Sequence, residues 1–223
     1  MVIDSSNVSE YIEGKLEYLG DGCEAAVYRY DKNIAIKIYK NNGFKRKLDE
    51  ETALGLMKLK TKRILLPEEI IYNENNEMIG YKKKYKENYN HALKYINGLN
   101  LYNEILILKE DAYTLASNDY IISDLHRDNM IYDGSIYLTD PGSYEKIENP
   151  KLNKFLYNQE SLNELIIDDI IGFELEQFLS KNKAKTITDD LHKKSEFIGD
   201  VIKDELVKSK NLRSYTRSLA KRY

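Results

Sequence analysis

Several residue types are scarce in this sequence of 223 residues, and each scarcity narrows what the protein can be. It holds one cysteine, Cys23, which cannot form an internal disulfide or a thiolate metal site and which fits a reducing compartment. Tryptophan is absent, proline occurs three times, and no low-complexity linker separates two autonomous domains. No apolar run approaches the roughly 18 to 20 residues that a membrane span needs.

The first residues, MVIDSSNVSEYIEGKLEYL, lack the basic region and apolar core of a Sec signal peptide. We therefore expect a cytoplasmic protein, while secretion as an effector by a route without such a signal stays open. The 34 basic and 37 acidic residues give a formal net charge of −3, so the overall charge does not favour nucleic acid as a partner. After Glu205 the charged residues are all basic, which we interpret as a solvated last helix rather than a phosphate-binding tail.

The composition, 42% hydrophobic and 32% charged, is typical of a globular protein, and the length suffices for one large domain or two small lobes. The first third of the chain alternates as strands do, with glycine and asparagine at the turns. Among these strands a helix is predicted over Lys45–Lys60, where Leu48, Leu56 and Leu59 mark an apolar face. The predicted strands are Lys15–Leu19, Ala26–Tyr30, Asn33–Lys40 and a pair on either side of Asn75-Asn76.

From about Tyr85 the pattern becomes helical, with a break near Gly98 and one strand hairpin further along. The clearest later helices are NELIIDDIIGFELEQFLSK and SEFIGDVIKDELVKSK. The chain is therefore predicted to be α+β, with a small strand-rich unit followed by a larger helical unit.

Two glycines, Gly20 and Gly22, lie between the first two predicted strands in LGDGCEAAVYR. Glycines in such a hairpin let backbone N–H groups approach phosphate oxygens without a Cβ in the way. A plain glycine-containing turn explains these two residues equally well when they are taken alone. Lys37, ten residues after Val27 in the apolar stretch IAIKIY, favours the phosphate interpretation, because a lysine there is costly without a partner.

The environment of Lys37 stays open at this point. Alternation places it on the same strand face as Tyr39, so the ammonium could also point outward from a half-exposed sheet. Because Lys37 comes soon after a glycine hairpin, its positive charge could instead bind phosphate groups. The next helix offers Asp49, Glu50 and Glu51 as a carboxylate partner. We favour Glu51, and the helix register leaves Glu50 as the alternative.

The segment ISDLHRDNMIYDGSIYLTDPG collects four aspartates in 21 residues. Its centre, IYDGSIYL, alternates apolar residues about an Asp-Gly turn and so predicts a hairpin. With the turn at Gly134 and Ser135, Asn129 faces Asp140, and a turn one residue earlier shifts the pairs slightly. In either register the two oxygen-bearing side chains come near each other, and such ligands suit Mg²⁺.

The four aspartates of this segment are expected to differ in role. Asp124, in the loop before the hairpin, could accept the proton of an attacking hydroxyl. Asp133 is interpreted as a turn residue, and no role follows for Asp128. Aspartates commonly cap or end strands, but the combined spacing of Asp124, Asn129 and Asp140 is more specific than any one of them.

These motifs, in this order, resemble those of the protein-kinase-like superfamily, which includes aminoglycoside phosphotransferases and small bacterial kinases. GDGCEAAVY resembles the glycine-rich loop, IAIK the lysine strand and SDLHRDNM the catalytic loop, and TDPG stands at the place of D-F-G. The resemblance covers about Gly20 to Gly142. His126 in DLHRDN makes the catalytic loop more similar to those of small-molecule phosphotransferases and atypical kinases.

The resemblance implies a two-lobed α+β fold, with an antiparallel-sheet N-lobe over residues 1–85, a hinge near 84–90 and a reduced helical C-lobe over 86–223. It also implies ATP and Mg²⁺ as cofactors. Asp124 would be the catalytic base. Lys37 would contact the α- and β-phosphates and be held by Glu51. Asn129 and Asp140 would bind the metal. The residues that would bind the nucleotide are Gly20, Asp21, Gly22, Cys23, Ala25, Val27, Ala35 and Lys37.

The sequence departs from the family pattern at several points. Ala25 replaces the third glycine, and Ile122-Ser123 stand where His-Arg or His-Gly usually precede the catalytic aspartate. The missing arginine argues against activation by loop phosphorylation. Pro141 replaces the phenylalanine of D-F-G, and no A-P-E sequence follows in the 81 residues after Gly142, so the usual platform for a peptide substrate is reduced.

The expected function is ATP- and Mg²⁺-dependent phosphoryl transfer to an alcohol, by a compact Ser/Thr protein kinase. One alternative is a small-molecule kinase of the aminoglycoside-phosphotransferase type, favoured by His126 and by the missing A-P-E but disfavoured by the short helical lobe. The other is a nucleotide-binding pseudokinase that acts as a binding module. The expected partners are a protein or small-molecule phosphate acceptor. An activating protein that completes the small C-lobe is a further possible partner. Neither nucleic acid binding nor a membrane span is expected.

Overall fold

The computed structural model describes residues 12, 16–40, 48–140, 144–149, 151–194 and 196–223. These residues cluster into two compact units. The first consists of described residues within Met1–Thr61, Leu65–Lys86 and Thr139–Tyr144, and the second of those within Lys62–Ile64, Glu87–Leu138 and Glu145–Tyr223. None of the helices in these ranges is long and apolar enough to cross a membrane.

An antiparallel sheet dominates the first unit. Its strands in the described chain are β1 (Glu17–Asp21), β2 (Ala25–Arg29), β3 (Ile34–Tyr39), β4 (Glu69–Tyr72) and β5 (Met78–Lys84), in the spatial order β1-β2-β3-β5-β4. The central strand β3 is buried on both faces, as its nearly continuous apolar run IAIKIY requires. The half-exposed interpretation of this strand is therefore wrong.

The predicted β2–β3 hairpin is confirmed, but its loop is longer than two residues. The carboxylate Oδ1 of Asp31 accepts hydrogen bonds from the backbone N–H groups of Asn33 at 2.7 Å and Ile34 at 2.9 Å. The Tyr30 N–H donates to the Ile34 carbonyl at 2.9 Å. The aspartate thus closes the loop with its own side chain, which a tight two-residue turn would not need.

The predicted pair of strands around Asn75-Asn76 is also confirmed, as β4 and β5. The side-chain oxygen of Asn73 accepts from the N–H groups of Asn75 at 3.0 Å and Glu77 at 2.8 Å. Asn76 takes a φ of 60°, a left-handed conformation that asparagine tolerates better than most residues.

The first helix, α1 (Glu50–Leu56), is shorter than the predicted Lys45–Lys60. Asp49 is its N-cap, because its carboxylate accepts the Thr52 N–H at 2.8 Å and the Thr52 hydroxyl at 2.7 Å. The helix therefore begins after Asp49, and it ends in a turn at Met57. Residues 45–47 of the prediction lie outside the described residues.

Helices make up most of the second unit. In its described part they are α2 (Gly98–Ala116), α3 (Lys154–Glu164), α4 (Phe173–Glu176), α5 (Lys181–His192), α6 (Ile198–Leu206) and α7 (Leu212–Ala220), with 3₁₀ turns at Asn90–Tyr95 and Arg127–Asn129. The backbone between α3 and α4 is π-helical over Leu165–Gly172. The first predicted late helix thus begins earlier and ends earlier than NELIIDDIIGFELEQFLSK, and the second is trimmed to α6.

The predicted break near Gly98 is confirmed, because the 3₁₀ turn Asn90–Tyr95 ends before it and α2 starts at Gly98. The side chain of Asn97 caps this helix by accepting the Leu99 N–H at 2.9 Å. A Cβ added at residue 98 would lie 1.9 Å from the Leu206 carbonyl oxygen, so the close approach of α6 requires glycine there. The sequence indicated the break but not the contact with α6 that requires glycine at this position.

The acidic hairpin forms, but in a register that differs from both predicted ones. β7 (Met130–Tyr132) pairs with β8 (Ile136–Leu138), with Met130 opposite Leu138 and Tyr132 opposite Ile136. The loop therefore has Asp133, Gly134 and Ser135, and Gly134 adopts a φ of 94° that suits glycine. Asp133 is a turn residue, as predicted. The predicted cross-strand pairing of Asn129 with Asp140 is wrong, because the strand pairing ends at Met130.

A short strand that the sequence did not predict, β6 (Tyr120–Ile122), precedes the candidate catalytic loop. It belongs to a two-stranded sheet with β9 (Tyr144–Lys146), and the Ile147 N–H donates to the Asp119 carbonyl at 2.7 Å. Its residues are buried, so β6 fixes the backbone from which the loop leaves.

Candidate active site

The glycine loop between β1 and β2 is held by Lys40. The Lys40 ammonium donates to the Gly22 carbonyl at 2.9 Å and pairs with the Asp21 carboxylate, which also accepts from the Tyr18 hydroxyl at 2.5 Å. The hydrogen bond from Lys40 lowers the pKa of the Asp21 carboxyl. Because the Asp21 side chain is engaged in this way, the loop offers a ligand its backbone rather than a free carboxylate.

The loop has open space where a ligand could approach its backbone. A Cβ added at Gly20 or Gly22 would meet no atom within 4 Å among the described residues, and Gly20 takes a φ of 156°. The other predicted nucleotide-binding residues differ in environment. Cys23 is exposed, whereas Ala25 and Ala35 are buried and Val27 is partly buried.

Lys37 is buried in the sheet, with 6% of its surface exposed. It lies opposite Val27 on one side and Tyr81 on the other. Its Nζ forms an ion pair with Oδ1 of Asp140 at 2.7 Å. A buried ammonium needs such a partner, since an uncompensated charge there would cost several kcal/mol, on the order of 3 to 5 when one partner is removed. The Asp140 side chain keeps 28% exposure, so it can also face a ligand.

A second lysine, Lys83, which sequence reasoning did not single out, lies on the same face. It pairs with Ala35 across the β3–β5 ladder, is 8% exposed and donates its Nζ hydrogen to the carbonyl of Thr139, the residue before Asp140. Burial lowers the pKa of Lys83 to about 8. The sequence signal for this position was the alternation along YKKK (residues 81–84), which places Lys83 on the same strand face as Tyr81 and Lys84 on the opposite face.

The three acidic residues at the start of α1 have separate environments. Asp49 caps the helix, and Glu50 accepts a hydrogen bond from the Tyr72 hydroxyl at 2.7 Å. Glu51 lies exposed in the first turn. The ion pair that the described residues give to Lys37 is with Asp140 and not with Glu51. The assignment of Glu51 as the lysine's partner stays a prediction.

The candidate catalytic loop brings Asp124, His126 and Asn129 together. The Asn129 Nδ2 donates to the Asp124 carbonyl at 3.1 Å and lies 3.1 Å from His126 Nε2, which is 3.9 Å from Asp124 Oδ1. The Asp128 N–H donates to His126 Nδ1 at 3.2 Å, so the ring is held from both sides. Asp124 has a φ of 62° and its side chain is 58% exposed. A non-glycine residue in this conformation is held there by its surroundings and is commonest at functional sites.

Asn158 in α3 anchors the start of this loop, and sequence reasoning missed it. Its side chain is fully buried, accepts the Ile122 N–H at 2.8 Å and donates to the carbonyls of Tyr120 and Ala112, both at 3.1 Å. The Ser161 hydroxyl adds a bond to the Ile122 carbonyl at 2.9 Å. Both backbone groups of Ile122, two residues before Asp124, are therefore fixed by side chains of one helix.

The two residues predicted to bind the metal have donor groups of the kind that Mg²⁺ prefers. A carboxylate that keeps exposure, Asp140, and the amide of Asn129 are hard oxygen ligands of the kind Mg²⁺ uses together with substrate phosphates. Across the described ranges, no group of three or more His, Cys, Asp or Glu side chains is arranged to hold a metal ion. The residues thus fit Mg²⁺ in the manner of a nucleotide complex, and the pairing of Asn129 with Asp140 around one ion stays a prediction.

No protein-family model matches the chain, and no curated protein matches it. A solved structure does: a chain in the CAK complex from Chaetomium thermophilum bound to ATP-γ-S is similar, with a TM-score of 0.55 and 15% identity. The match covers 74% of this chain and 65% of that chain, so the chain spans slightly less than two thirds of the protein it matches. Together with the five-stranded antiparallel sheet and the helices of the described residues, it confirms a protein-kinase-like α+β fold.

Proposed function

We propose that the chain is a kinase that transfers the γ-phosphoryl group of ATP to an alcohol, with a Ser or Thr side chain of a protein as the first expected acceptor. The observation that carries the proposal is the buried ion pair of Lys37 with Asp140, at 2.7 Å. A lysine in a central strand beside an open glycine loop supplies a point charge for phosphates. ATP-γ-S in the structurally similar complex adds support for a nucleotide ligand.

The residues of the loop account for the proton transfer. As the acceptor hydroxyl attacks the γ-phosphorus, the bond to the leaving ADP oxygen breaks and the hydroxyl proton passes to the Asp124 carboxylate. Asn129 donates a 3.1 Å hydrogen bond to the Asp124 carbonyl and so holds the backbone that carries the exposed carboxylate. When bound, Mg²⁺ neutralises phosphate charge, and Asn129 and Asp140 are the residues that would hold it.

A small-molecule alcohol is the alternative acceptor. It is supported by the DLHRDN form of the loop, in which His126 contacts both Asn129 and the Asp128 backbone. The second alternative is a protein that binds nucleotide without catalysis. Measurable phosphate transfer to an acceptor would distinguish either kinase from it.

The test is phosphate transfer from γ-labelled ATP with Mg²⁺, using protein acceptors in one arm and alcohol-bearing small molecules in the other. We expect labelled product in at least one arm. Asp124→Asn should lower the rate by about 100-fold or more, the usual contribution of a general base. Lys37→Met should also abolish transfer, although removal of a buried ion-pair partner makes a check of folding necessary.

Asp128→Asn is the matched control, because Asp128 is in the same loop and its side chain is 94% exposed. It should keep most of the activity. Nucleotide binding without transfer to any acceptor would contradict the kinase proposal and favour the pseudokinase. Equal rates for Asp124→Asn and Asp128→Asn would contradict the role of Asp124.

A further inference from the structure

A pocket of about 270 Å³ lies beside the candidate catalytic loop, within the second unit. Arg127 enters it from the loop itself, three residues after Asp124. The opposite walls come from the 3₁₀ turn Asn90–Tyr95 with Lys94, from α4 with Phe173, and from the start of α7 with Arg213. The pocket therefore adjoins the proposed base and carries several cations.

Arg127 and Lys94 form no salt bridge among the described residues, although Asp169, Asp128 and Glu174 act on Arg127 from a longer distance. The Arg127 guanidinium stacks on the Phe173 ring, 3.3 Å from its centroid, and donates one long hydrogen bond of 3.4 Å to the Asp169 carbonyl. Lys94 contacts the ring of Tyr95. In the part of the chain that the structure describes, neither cation has a carboxylate within ion-pair distance. By contrast, Arg213 is paired with Glu174 at 2.6 Å.

The unpaired cations favour an anionic ligand. The Arg127 guanidinium lies over the Phe173 ring, and a planar guanidinium binds carboxylate or phosphate through two parallel hydrogen bonds. Lys94 adds a second positive charge to the same pocket.

We propose that this pocket binds an acidic side chain of the protein acceptor, close in sequence to the Ser or Thr that receives the phosphoryl group. This rests on the proposed function with a protein acceptor. The Cα atoms of Asp124 and Arg127 are at most about 11 Å apart, since consecutive Cα atoms are 3.8 Å apart. That span is about three residues of an extended peptide. The pocket is smaller than the roughly 300–1,000 Å³ of drug-sized sites and suits a single side chain.

A second pocket, of about 590 Å³, also includes Phe173 in its lining but has the opposite charge. It is lined by several carboxylates and would favour a basic acceptor. Its charges are partly satisfied within the fold, because Asp168 lies 3.0 Å from His192 Nε2 and Asp189 pairs with Lys185 at 2.7 Å. The Arg127 pocket has one internal ion pair, Arg213 with Glu174, but its other two cations, Arg127 and Lys94, form no salt bridge among the described residues, which is why we assign acceptor recognition to it.

The first test measures binding without catalysis. Fluorescein-labelled peptides carry Ala in place of the acceptor Ser and have Glu, Gln or Lys at one position within three residues of it. Fluorescence anisotropy should show the Glu peptide binding about tenfold or more tightly than the Gln peptide, the usual size of a charge-assisted hydrogen bond. The preference should vanish in Arg127→Gln and shrink in Lys94→Met.

Arg217→Gln is the matched control, since Arg217 also lies over a phenylalanine ring, that of Phe178 at 5.9 Å, but does not line the pocket. It should keep the preference for Glu. Arg127→Lys is a second variant that keeps the charge and should retain part of the preference, and thermal unfolding shows whether each variant is folded. Equal binding of the Glu and Gln peptides, or tighter binding of the Lys peptide, would overturn the proposal.

A second arm uses the same peptides with Ser restored and labelled ATP, and it separates the two proposals. Acidic preference in binding without any phosphate transfer would leave the pocket assignment standing and reject the kinase. Transfer at equal kcat/KM to Glu and Gln peptides would leave the kinase standing and reject the pocket assignment. We expect Arg127→Gln to lower kcat/KM about tenfold more for the Glu peptide than for the Gln peptide, and an equal loss for both peptides would reject the pocket assignment.

Discussion

Replacing Asn158 by leucine tests how the candidate catalytic loop is held. Leucine is similar in size but has no polar atoms, so the Ile122 N–H and the carbonyls of Ala112 and Tyr120 lose the partner that they have in the fold. These groups lie next to a fully buried side chain, where water cannot replace that partner. An unsatisfied buried polar group costs about 1–3 kcal/mol. The Ile122 N–H and the two carbonyls are all affected, and the N–H contributes the largest share of the cost. We therefore expect the free energy of unfolding to fall by about 3 kcal/mol.

The same substitution should also affect catalysis. Ile122 lies two residues before Asp124, so a loosened backbone at Ile122 displaces the proposed base. We expect kcat to fall by about tenfold or more, because small displacements of catalytic groups cost that much or more. The KM for ATP should change little, because the proposed nucleotide-binding residues lie in the first unit. Urea unfolding and steady-state kinetics measure the two effects on the same preparations.

Asn163→Leu provides the comparison. Asn163 belongs to the same helix, and its side chain accepts the Ile198 N–H at 2.9 Å and donates to the Glu196 carbonyl at 3.2 Å, away from the loop. It should lower stability without lowering kcat at a temperature where both variants are folded. If the two substitutions lower kcat equally, or if neither does, the reasoning that Asn158 positions the loop is refuted.

Two other predictions concern stability. Burial lowers the pKa of Lys83 to about 8 in the folded protein, against an ordinary value of 10.5. Between these two pH values the unfolded chain binds more protons than the folded protein, so the free energy of unfolding increases with pH. We expect the contribution of Lys83 to that increase to be about 1–2 kcal/mol from pH 8 to 9.5. Urea unfolding at both pH values should show that rise in the wild type and its loss in Lys83→Met; a rise of equal size in the variant would contradict the assignment to Lys83. Gly98→Ala should lower the thermal unfolding midpoint strongly, because its Cβ would lie 1.9 Å from the Leu206 carbonyl oxygen, whereas an unchanged midpoint would show that α6 can move away at little cost.

The sequence allowed the local elements of the site to be predicted. The β2–β3 and β7–β8 hairpins follow from alternation between turn residues, and the loop with Asp124 and Asn129 follows from a short motif. These features depend on residues within about ten positions of each other. Their existence was predictable for that reason, whereas the register of β7–β8 depends on the conformation of Gly134 and was not.

The environment of each charged residue was much harder to predict. Lys37 pairs with a carboxylate 103 positions away in sequence, so no local pattern could choose Asp140 over the acids of α1. Lys83 belongs to a run of three lysines, a pattern typical of a solvent-exposed edge strand. Its side chain is nevertheless buried, and the residue pairs with Ala35 in the sheet. Burial of this kind is decided by which strands become neighbours.

In the helical unit, the role of Asn158 was equally difficult to predict from the sequence. Asn158 is a single polar residue in a helix, and nothing in its sequence neighbourhood distinguishes it from a solvated one. The π-helical segment Leu165–Gly172 is likewise apolar in the manner of an ordinary buried helix. Its hydrogen-bond pattern depends on packing rather than composition, and so does the placement of Phe173 against Arg127.

The measurement that tests the kinase proposal most directly is phosphate transfer from γ-labelled ATP by the wild type, Asp124→Asn and Asp128→Asn, with both acceptor classes present. We expect the wild type and Asp128→Asn to label an acceptor at similar rates and Asp124→Asn to be slower by about 100-fold or more. Nucleotide binding with no labelled acceptor in any of the three, or labelling that is indifferent to Asp124, would contradict it.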